Sequence, residues 1–180
     1  MNRIMVMGVS AGAGKSTFAR KLGELLEINV YHLDTLYWKP NWIEASLEEF
    51  VANQEEIVTL NEWIIEGNYS HTYDIRVGRA DTIIYIEPHL MICLFRVLKR
   101  RILNHGKTRP DMGEGCPEKL DFPFLTFICT TYFSRKKMMR TRLDTLRTEK
   151  NIVLLRNNKE MKQYLKGLKA NISAEYRENV

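Results

Sequence analysis

Arg3–Leu22 reads RIMVMGVSAGAGKSTFARKL. Ile4 to Met7 is an apolar run of strand length. Gly8-Val9-Ser10-Ala11-Gly12-Ala13-Gly14 is a loop of small residues. Lys15-Ser16-Thr17 follows, and Phe18, Leu22, Leu25 and Leu26 then recur on one side of a helix. Strand, small-residue loop, Lys-Ser and helix is the order that a phosphate cradle requires. A phosphate chain carries several negative charges and has to be met from many directions at once. Backbone N–H groups of a tight loop do this, and a helix N-terminus adds its partial positive charge. Side chains must stay out of the way, hence Gly12, Ala13 and Gly14. Lys15 supplies a mobile charge for the β- and γ-phosphates and Ser16 a hydroxyl for Mg²⁺. The cradle runs to Thr17. One feature departs from the usual G-x-x-x-x-G-K-[ST] pattern: Val9 stands where the first glycine belongs, and Gly8 comes one residue early.

The chain has 180 residues, 44% of them apolar, which suits a single domain over 1–180 with a sizeable core. No apolar run approaches the roughly 20 residues that span a bilayer, and the chain opens directly on a strand. A cytoplasmic protein with no cleaved leader and no membrane partner is the expectation. Cys93, Cys116 and Cys129 lack C-x-x-C spacing and read as buried or inert thiols, neither a zinc site nor a disulfide. The net charge of +5 is unevenly placed. Arg96, Lys99, Arg100, Arg101, Lys107 and Arg109 form one basic stretch; Arg135, Lys136, Lys137, Arg140 and Arg142 form another. Outside these two stretches the chain is net acidic. Beside a phosphate loop, such stretches suit the phosphates of a small substrate better than nucleic acid.

Further along, INVYHL (28–33) reads as a strand ending at Asp34, and TLYWKPNW as a packed turn. A helix is expected over 46–61, a buried strand at Trp63-Ile64-Ile65, and an irregular connection carrying Arg76 over 70–80. TIIYI (82–86) reads as a strand and 90–103 as a helix. Residues 104–121, with three glycines and two prolines, form a long loop of the kind that closes over active sites. One long helix or two shorter ones fill 122–148. A last strand spans 151–155 and a closing helix 159–168. Apolar strands alternating with helices specify an α/β protein whose parallel sheet is covered on both faces. Ligands of such sheets bind beyond the carboxyl ends of the strands.

Strand-end residues are therefore the candidates for chemistry. Glu66, followed by Gly67, suits a carboxylate that supports a metal ion or its water; Gly67 would let the backbone approach a ligand. Glu87 is the competitor, with Pro88 marking it as a strand end. Asp34 can accept the proton of a hydroxyl acceptor or cap a turn; the acceptor is expected between Asp34, the 37–42 aromatics and Arg76. Arg96 and Arg100 share a helix face that leads into the lid. Arg109 lies in the lid, and Arg135, Arg140 and Arg142 follow it. Arginines brought in by a closing lid meet the charge that phosphoryl transfer spreads over several oxygens. Tyr37, Trp38 and Trp42 suit packing first and stacking on a nucleobase second. The four histidines show no ligand spacing.

GVSAGAGKST, VYHLDTLYWKPNW, WIIEGNY, RVLKRRI and GKTRPDMGEGCPEKLDF together resemble the bacterial DNA topology modulation proteins, over nearly the whole chain to about residue 168. These look like members of the adenylate kinase-like branch of the P-loop kinases. The resemblance implies a three-layer P-loop NTPase fold with a five-stranded parallel sheet in the order 2-3-1-4-5 and a lid. It also implies ATP and Mg²⁺ as cofactors, with Glu66-Gly67 where an Asp-Gly pair supports the metal. Arg96 and Arg100 resemble the pair that contacts ATP; Arg135 and Arg142 resemble the arginines after the lid that contact both substrates. The expected activity is transfer of the γ-phosphoryl of ATP to a small molecule, a nucleoside or nucleotide first and a sugar acid second. Lys15, Asp34, Glu66, Arg100, Arg109, Arg135 and Arg142 would carry it. The competing expectation is a nucleotide-binding regulator that contacts DNA or a protein through its basic stretches.

Overall fold

The computed structural model describes residues 1–118 and 120–178. Seven strands and seven α-helices follow one another: β1 (Arg3–Gly8), α1 (Lys15–Leu26), β2 (Val30–His32), α2 (Leu33–Tyr37), β3 (Trp38–Lys39), β4 (Ile43–Glu44), α3 (Leu47–Val58), β5 (Trp63–Glu66), α4 (Tyr73–Arg79), β6 (Thr82–Ile86), α5 (Leu90–Leu103), α6 (Phe122–Leu146), β7 (Asn151–Leu155) and α7 (Asn158–Glu178). Five strands form a parallel sheet in the order β2-β5-β1-β6-β7. Counting those five alone, the order is 2-3-1-4-5, as the resemblance implied.

Every residue from Ile4 to Met7, from Trp63 to Ile65 and from Ile83 to Ile86 is buried. Consecutive side chains of a strand point to opposite faces, so both faces of this sheet are covered. On one side α1 packs on β1, β2 and β5 and against α7. On the other, α4 lies against β1 and α3, and Arg142 of α6 lies over the ring of Tyr73 of α4. Buried Glu87 anchors α6 to the end of β6 through Arg140, whose Nε donates to its Oε2 across 3.0 Å.

The departure at Val9 has a physical reason. Val9 is 1% exposed and its N–H donates to Ile86 O at 2.9 Å, so it prolongs the sheet ladder and fills core. Gly8 before it has no room for a side chain: a Cβ there would stand 2.7 Å from Cγ of Lys15 and 2.9 Å from Cβ of Ala13. The lysine folds back over that residue.

Several boundaries differ from expectation. β2 begins at Val30, and Leu33 and Asp34 belong to a helix. The 70–80 connection is helical: a 3₁₀ turn at Ser70–Thr72 runs into α4. The TLYWKPNW turn contains a two-stranded antiparallel hairpin, β3 with β4. Residues 122–146 are one helix, capped by Asp121, whose carboxylate accepts from Phe124 N. The closing helix runs past 168 to Glu178. Ser46 caps α3, accepting from Glu49 N, and Glu48 and Glu49 stand in its first turn. Cys129 is exposed, unlike Cys93 and Cys116. Among the described residues no helix is long and apolar enough to cross a membrane.

Candidate active site

The carboxyl ends of β1, β2 and β5 open into one cavity of about 1680 Å³, larger than the ~300–1,000 Å³ usual for one small ligand and roomy enough for two substrates. At its floor the Gly8–Lys15 loop turns through two left-handed glycines, Gly12 (φ 74°) and Gly14 (φ 99°). Gly12 also lies against α5, where a Cβ would meet the carbonyl oxygen of Cys93 at 2.2 Å. Arg96 braces the loop from α5, donating to the carbonyls of Ala13 (2.7 Å) and Gly12 (3.2 Å), while it also lines the cavity. Lys15, Ser16 and Thr17 line it at the start of α1.

Register brings the second group in. His32 and Val6 lie opposite Glu66 on either side of β5. Glu66 is 3% exposed, its Oε1 3.7 Å from Nζ of Lys15 and its Oε2 2.8 Å from Nδ1 of His32. Gly67 lines the cavity and also lies against Leu33, whose Cβ would stand 2.8 Å from a Cβ at position 67. Asn68 accepts from Gly8 N at 3.0 Å, tying this strand end to the phosphate loop. Asp34, on the first turn of α2, accepts from the phenol of Tyr69 at 2.7 Å. Burial, and then the charge of Glu66, push the Asp34 carboxyl above the usual carboxylate range, against the Tyr69 hydrogen bond, Lys15 and Arg109. Glu87 is tied to Arg140 and does not line the cavity.

Arg76 is a correction. It was expected beside the acceptor, yet its side chain is fully buried. Its guanidinium donates to the carbonyls of Tyr69 (2.6 Å), Gly67 (3.1 Å) and Thr72 (3.3 Å). Burial pulls its pKa down to about 10. It holds the 67–72 backbone in place beneath the cavity.

The lid closes over all of this. Its tip rests on the β3–β4 hairpin: Asn41 N donates to Gly115 O at 3.2 Å and Cys116 Sγ to Lys39 O at 3.1 Å. Gly113 lies so close that a Cβ there would stand 1.8 Å from Trp38 O. Within the lid Arg109 donates to Asp111 at 2.6 Å and to Glu118 at 2.7 Å, and Arg100 of α5 donates to the same Glu118. Burial works to raise the Asp111 carboxyl, but Arg109 and a hydrogen bond from Ser16 outweigh it and hold it below the usual range. Arg100 is lowered by burial and by Arg109. Arg135, stacked over Phe127, and Arg142 line the cavity from α6. Tyr37, Trp38, Trp42, Phe50 and Tyr69 form its aromatic wall, with Tyr37 edge to face on Trp38 and Phe50, Trp38 edge to face on Trp42, and Tyr69 tilted against Tyr37 and Phe50.

The structure thus brings Gly12, Gly14, Lys15, Ser16, Thr17, Asp34, Glu66, Arg96, Arg100, Arg109, Arg135 and Arg142 to one cavity, with Ala13 buried beneath the loop. Sequence reasoning missed His32, Asp111 and Glu118, whereas Asn68 and Tyr69 fall in the strand-end stretch Glu66–Tyr69 that it marked for inspection without giving them roles. His32 carried a usable signal as the last residue of β2; the lid pair carried none beyond its place in the loop.

The phosphate loop, the parallel sheet of this order and the lid define a P-loop kinase fold, and solved structures agree. A shikimate kinase from Acinetobacter baumannii, in complex with shikimate, is 13% identical with a TM-score of 0.53, over 97% of this chain and 95% of that one. A shikimate kinase from Bacteroides thetaiotaomicron is 16% identical, TM-score 0.52, over 96% and 98%. A gluconokinase from Sinorhizobium meliloti 1021 is 16% identical, TM-score 0.50, over 97% of each chain. No family profile matches the chain, and no curated protein matches it in sequence.

Proposed function

We propose that this protein is an ATP-dependent small-molecule kinase. The observation that carries the reading is one shared cavity. Lys15 and Ser16 of the phosphate loop share it with Glu66 at the end of β5, Asp34 on α2, Arg100 of α5 and Arg109 of the lid. The polyphosphate of ATP lies on the Gly8–Thr17 loop, with Lys15 on the β- and γ-phosphates. Ser16 and Glu66 fit Mg²⁺. Among the described residues no three His, Cys, Asp or Glu side chains cluster as an all-protein metal cage, and Mg²⁺ characteristically keeps waters and phosphate oxygens as ligands. When bound, the ion neutralises charge on the phosphates.

The acceptor lies between Asp34 and the aromatic wall. Its hydroxyl oxygen attacks the γ-phosphorus in line, the bond to the β–γ bridging oxygen breaks, and ADP leaves with that electron pair. The hydroxyl proton passes to Asp34, whose raised pKa makes it a better base at neutral pH than an ordinary aspartate. Arg100, Arg109, Arg135 and Arg142 meet the charge on the transferring group, and the closed lid keeps water out. The aromatic wall favours a nucleoside or nucleotide as acceptor, with a hydroxylated sugar acid second.

The two basic stretches support a small substrate over a duplex: Arg96, Lys99, Arg100, Arg109, Arg135 and Arg142 all line the cavity. The kinship with topology modulation proteins rests on the quoted motifs and does not assign a substrate. A coupled assay over nucleosides, their monophosphates and sugar acids is the test. Turnover on one class supports the reading; ATP binding without turnover on any of them overturns it.

A further inference from the structure

Glu118 is an acid in a lid that phosphate chemistry would fill with bases. It is 4% exposed, although it belongs to a loop. Its two carboxylate oxygens are divided between two arginines from different elements. Oε1 accepts from Nε of Arg100 on α5 and Oε2 from Nε of Arg109 in the lid, each at 2.7 Å. Its backbone is fixed as well: Glu118 N donates to Lys107 O at 3.0 Å, and Arg101 donates to Glu118 O at 2.6 Å. A loop carboxylate on the protein surface would be solvated and mobile; this one is held at both backbone and side chain.

Two guanidiniums brought to one place repel each other, and burial strengthens that repulsion. Without a shared counter-charge, Arg100 and Arg109 would splay apart. A carboxylate that takes each arginine by Nε solves this and leaves terminal donors for phosphate oxygens: both Nη groups of Arg100, and Nη2 of Arg109, whose Nη1 is held by Asp111. The tip contacts at Gly113, Gly115 and Cys116 precede Glu118 in the chain and seat the lid on the β3–β4 hairpin. Glu118 thus joins α5 to the lid in the closed arrangement.

We propose that Glu118 is the positioning residue of this site: it clamps Arg100 and Arg109 by their Nε atoms so that both guanidiniums meet the γ-phosphate of a bound nucleoside triphosphate. The inference rests on the ATP-site reading above, and its test separates the two. Equilibrium binding of ADP and of a non-hydrolysable ATP analogue, both with Mg²⁺, is measured for the wild-type protein, Glu118→Gln and Glu118→Asp, alongside thermal unfolding. No acceptor is needed.

In the wild type the analogue binds more tightly than ADP. In Glu118→Gln the analogue's affinity falls at least about tenfold, as loss of an ordered charged contact implies, while that of ADP changes less than about twofold. Glu118→Asp keeps the charge on a shorter reach and recovers part of the preference. If Glu118→Gln weakens both nucleotides equally, or neither, the clamp is merely structural and the proposal fails. If Glu118→Gln does not fold, Glu118→Asp decides: a selective loss for the analogue supports the clamp, and an unchanged preference overturns it. If the wild type binds neither nucleotide, it is the ATP-site reading that falls, and this proposal with it.

Discussion

The phenol of Tyr69 donates a 2.7 Å hydrogen bond to Oδ1 of Asp34, the cavity-lining carboxylate proposed above as the base. The two residues are 35 apart in sequence and meet because β2 and β5 are neighbours in the sheet. The bond favours the charged carboxylate, while burial and Glu66 favour the neutral acid, and the latter two prevail.

The first prediction follows from that balance. The acid limb of the kcat/KM profile lies above the ordinary aspartate value of about 3.9, because Asp34 must be ionised to accept a proton. Tyr69→Phe removes a lowering influence and moves this limb to higher pH. The linkage has the opposite sign from that of a salt-bridged aspartate. A carboxyl with a raised folded-state pKa contributes stability fully below its unfolded pKa and loses it as pH rises through the raised value. Asp34→Asn is therefore inactive, yet at pH 7 it unfolds at the same or a higher temperature than wild type. A lower midpoint at pH 7, or an acid limb that Tyr69→Phe leaves in place, contradicts the assignment.

Much of this arrangement was legible in the chain. Gly8–Thr17 gave the loop, and the apolar runs ending at Glu66 and Glu87 gave two strand ends, because a strand buried on both faces has a one-dimensional signature; Asp34 lies two residues past the half-buried β2, on the first turn of α2. Which of two strand-end acids faces the ligand was less accessible: Glu87 is turned away by Arg140, a contact 53 residues distant that no local pattern encodes. Arg76 illustrates the same limit. An arginine in a polar segment looks like a ligand contact, and only the fold shows that its donors go to the carbonyls of Gly67, Tyr69 and Thr72. Val9 became intelligible once its amide was seen to extend the ladder to Ile86.

Lys15→Ala tests the phosphate loop. The lysine is 3.7 Å from Glu66, which keeps His32 as a partner at 2.8 Å when the lysine is removed. The variant stays folded, with a native-like unfolding transition, and loses ATP affinity by about 100-fold or more, equivalent to roughly 3 kcal/mol. Isothermal titration measures this directly. Unchanged ATP binding would mean that the polyphosphate lies elsewhere.

Two arginines should part company under mutation. Arg76→Met leaves several buried carbonyls without donors, each costing about 1–3 kcal/mol, so urea unfolding should show a loss of about 3 kcal/mol or more. Arg142 is exposed on α6 and lines the cavity. Arg142→Met should stay within about 0.5 kcal/mol of wild-type stability while its turnover falls. Equal stability losses in the two variants would place Arg142 in the framework and remove it from the site.

Gly113 tests whether the seated lid is the working one. A Cβ at this position would stand 1.8 Å from the carbonyl oxygen of Trp38, a backbone atom that cannot swing aside as a side chain can. Trp38 is held in turn by the edge of Trp42, 5.3 Å between ring centroids, and Trp42 has a left-handed backbone (φ 63°) that a bulky residue rarely adopts. Gly113→Ala therefore lifts the lid tip from the hairpin without touching the phosphate loop. Turnover falls at least about tenfold, as misplacement of closing groups implies. ADP affinity stays within about twofold, because the loop that holds its phosphates is unaltered. The fluorescence of Trp38 and Trp42 reports the event, since an undocked tip exposes the hairpin to water; each is read with the other replaced by phenylalanine, as a change over the constant emission of Trp63, buried in β5. If Gly113→Ala turns over like wild type, the lid works without touching the hairpin, and the contact seen here is no part of the catalytic cycle.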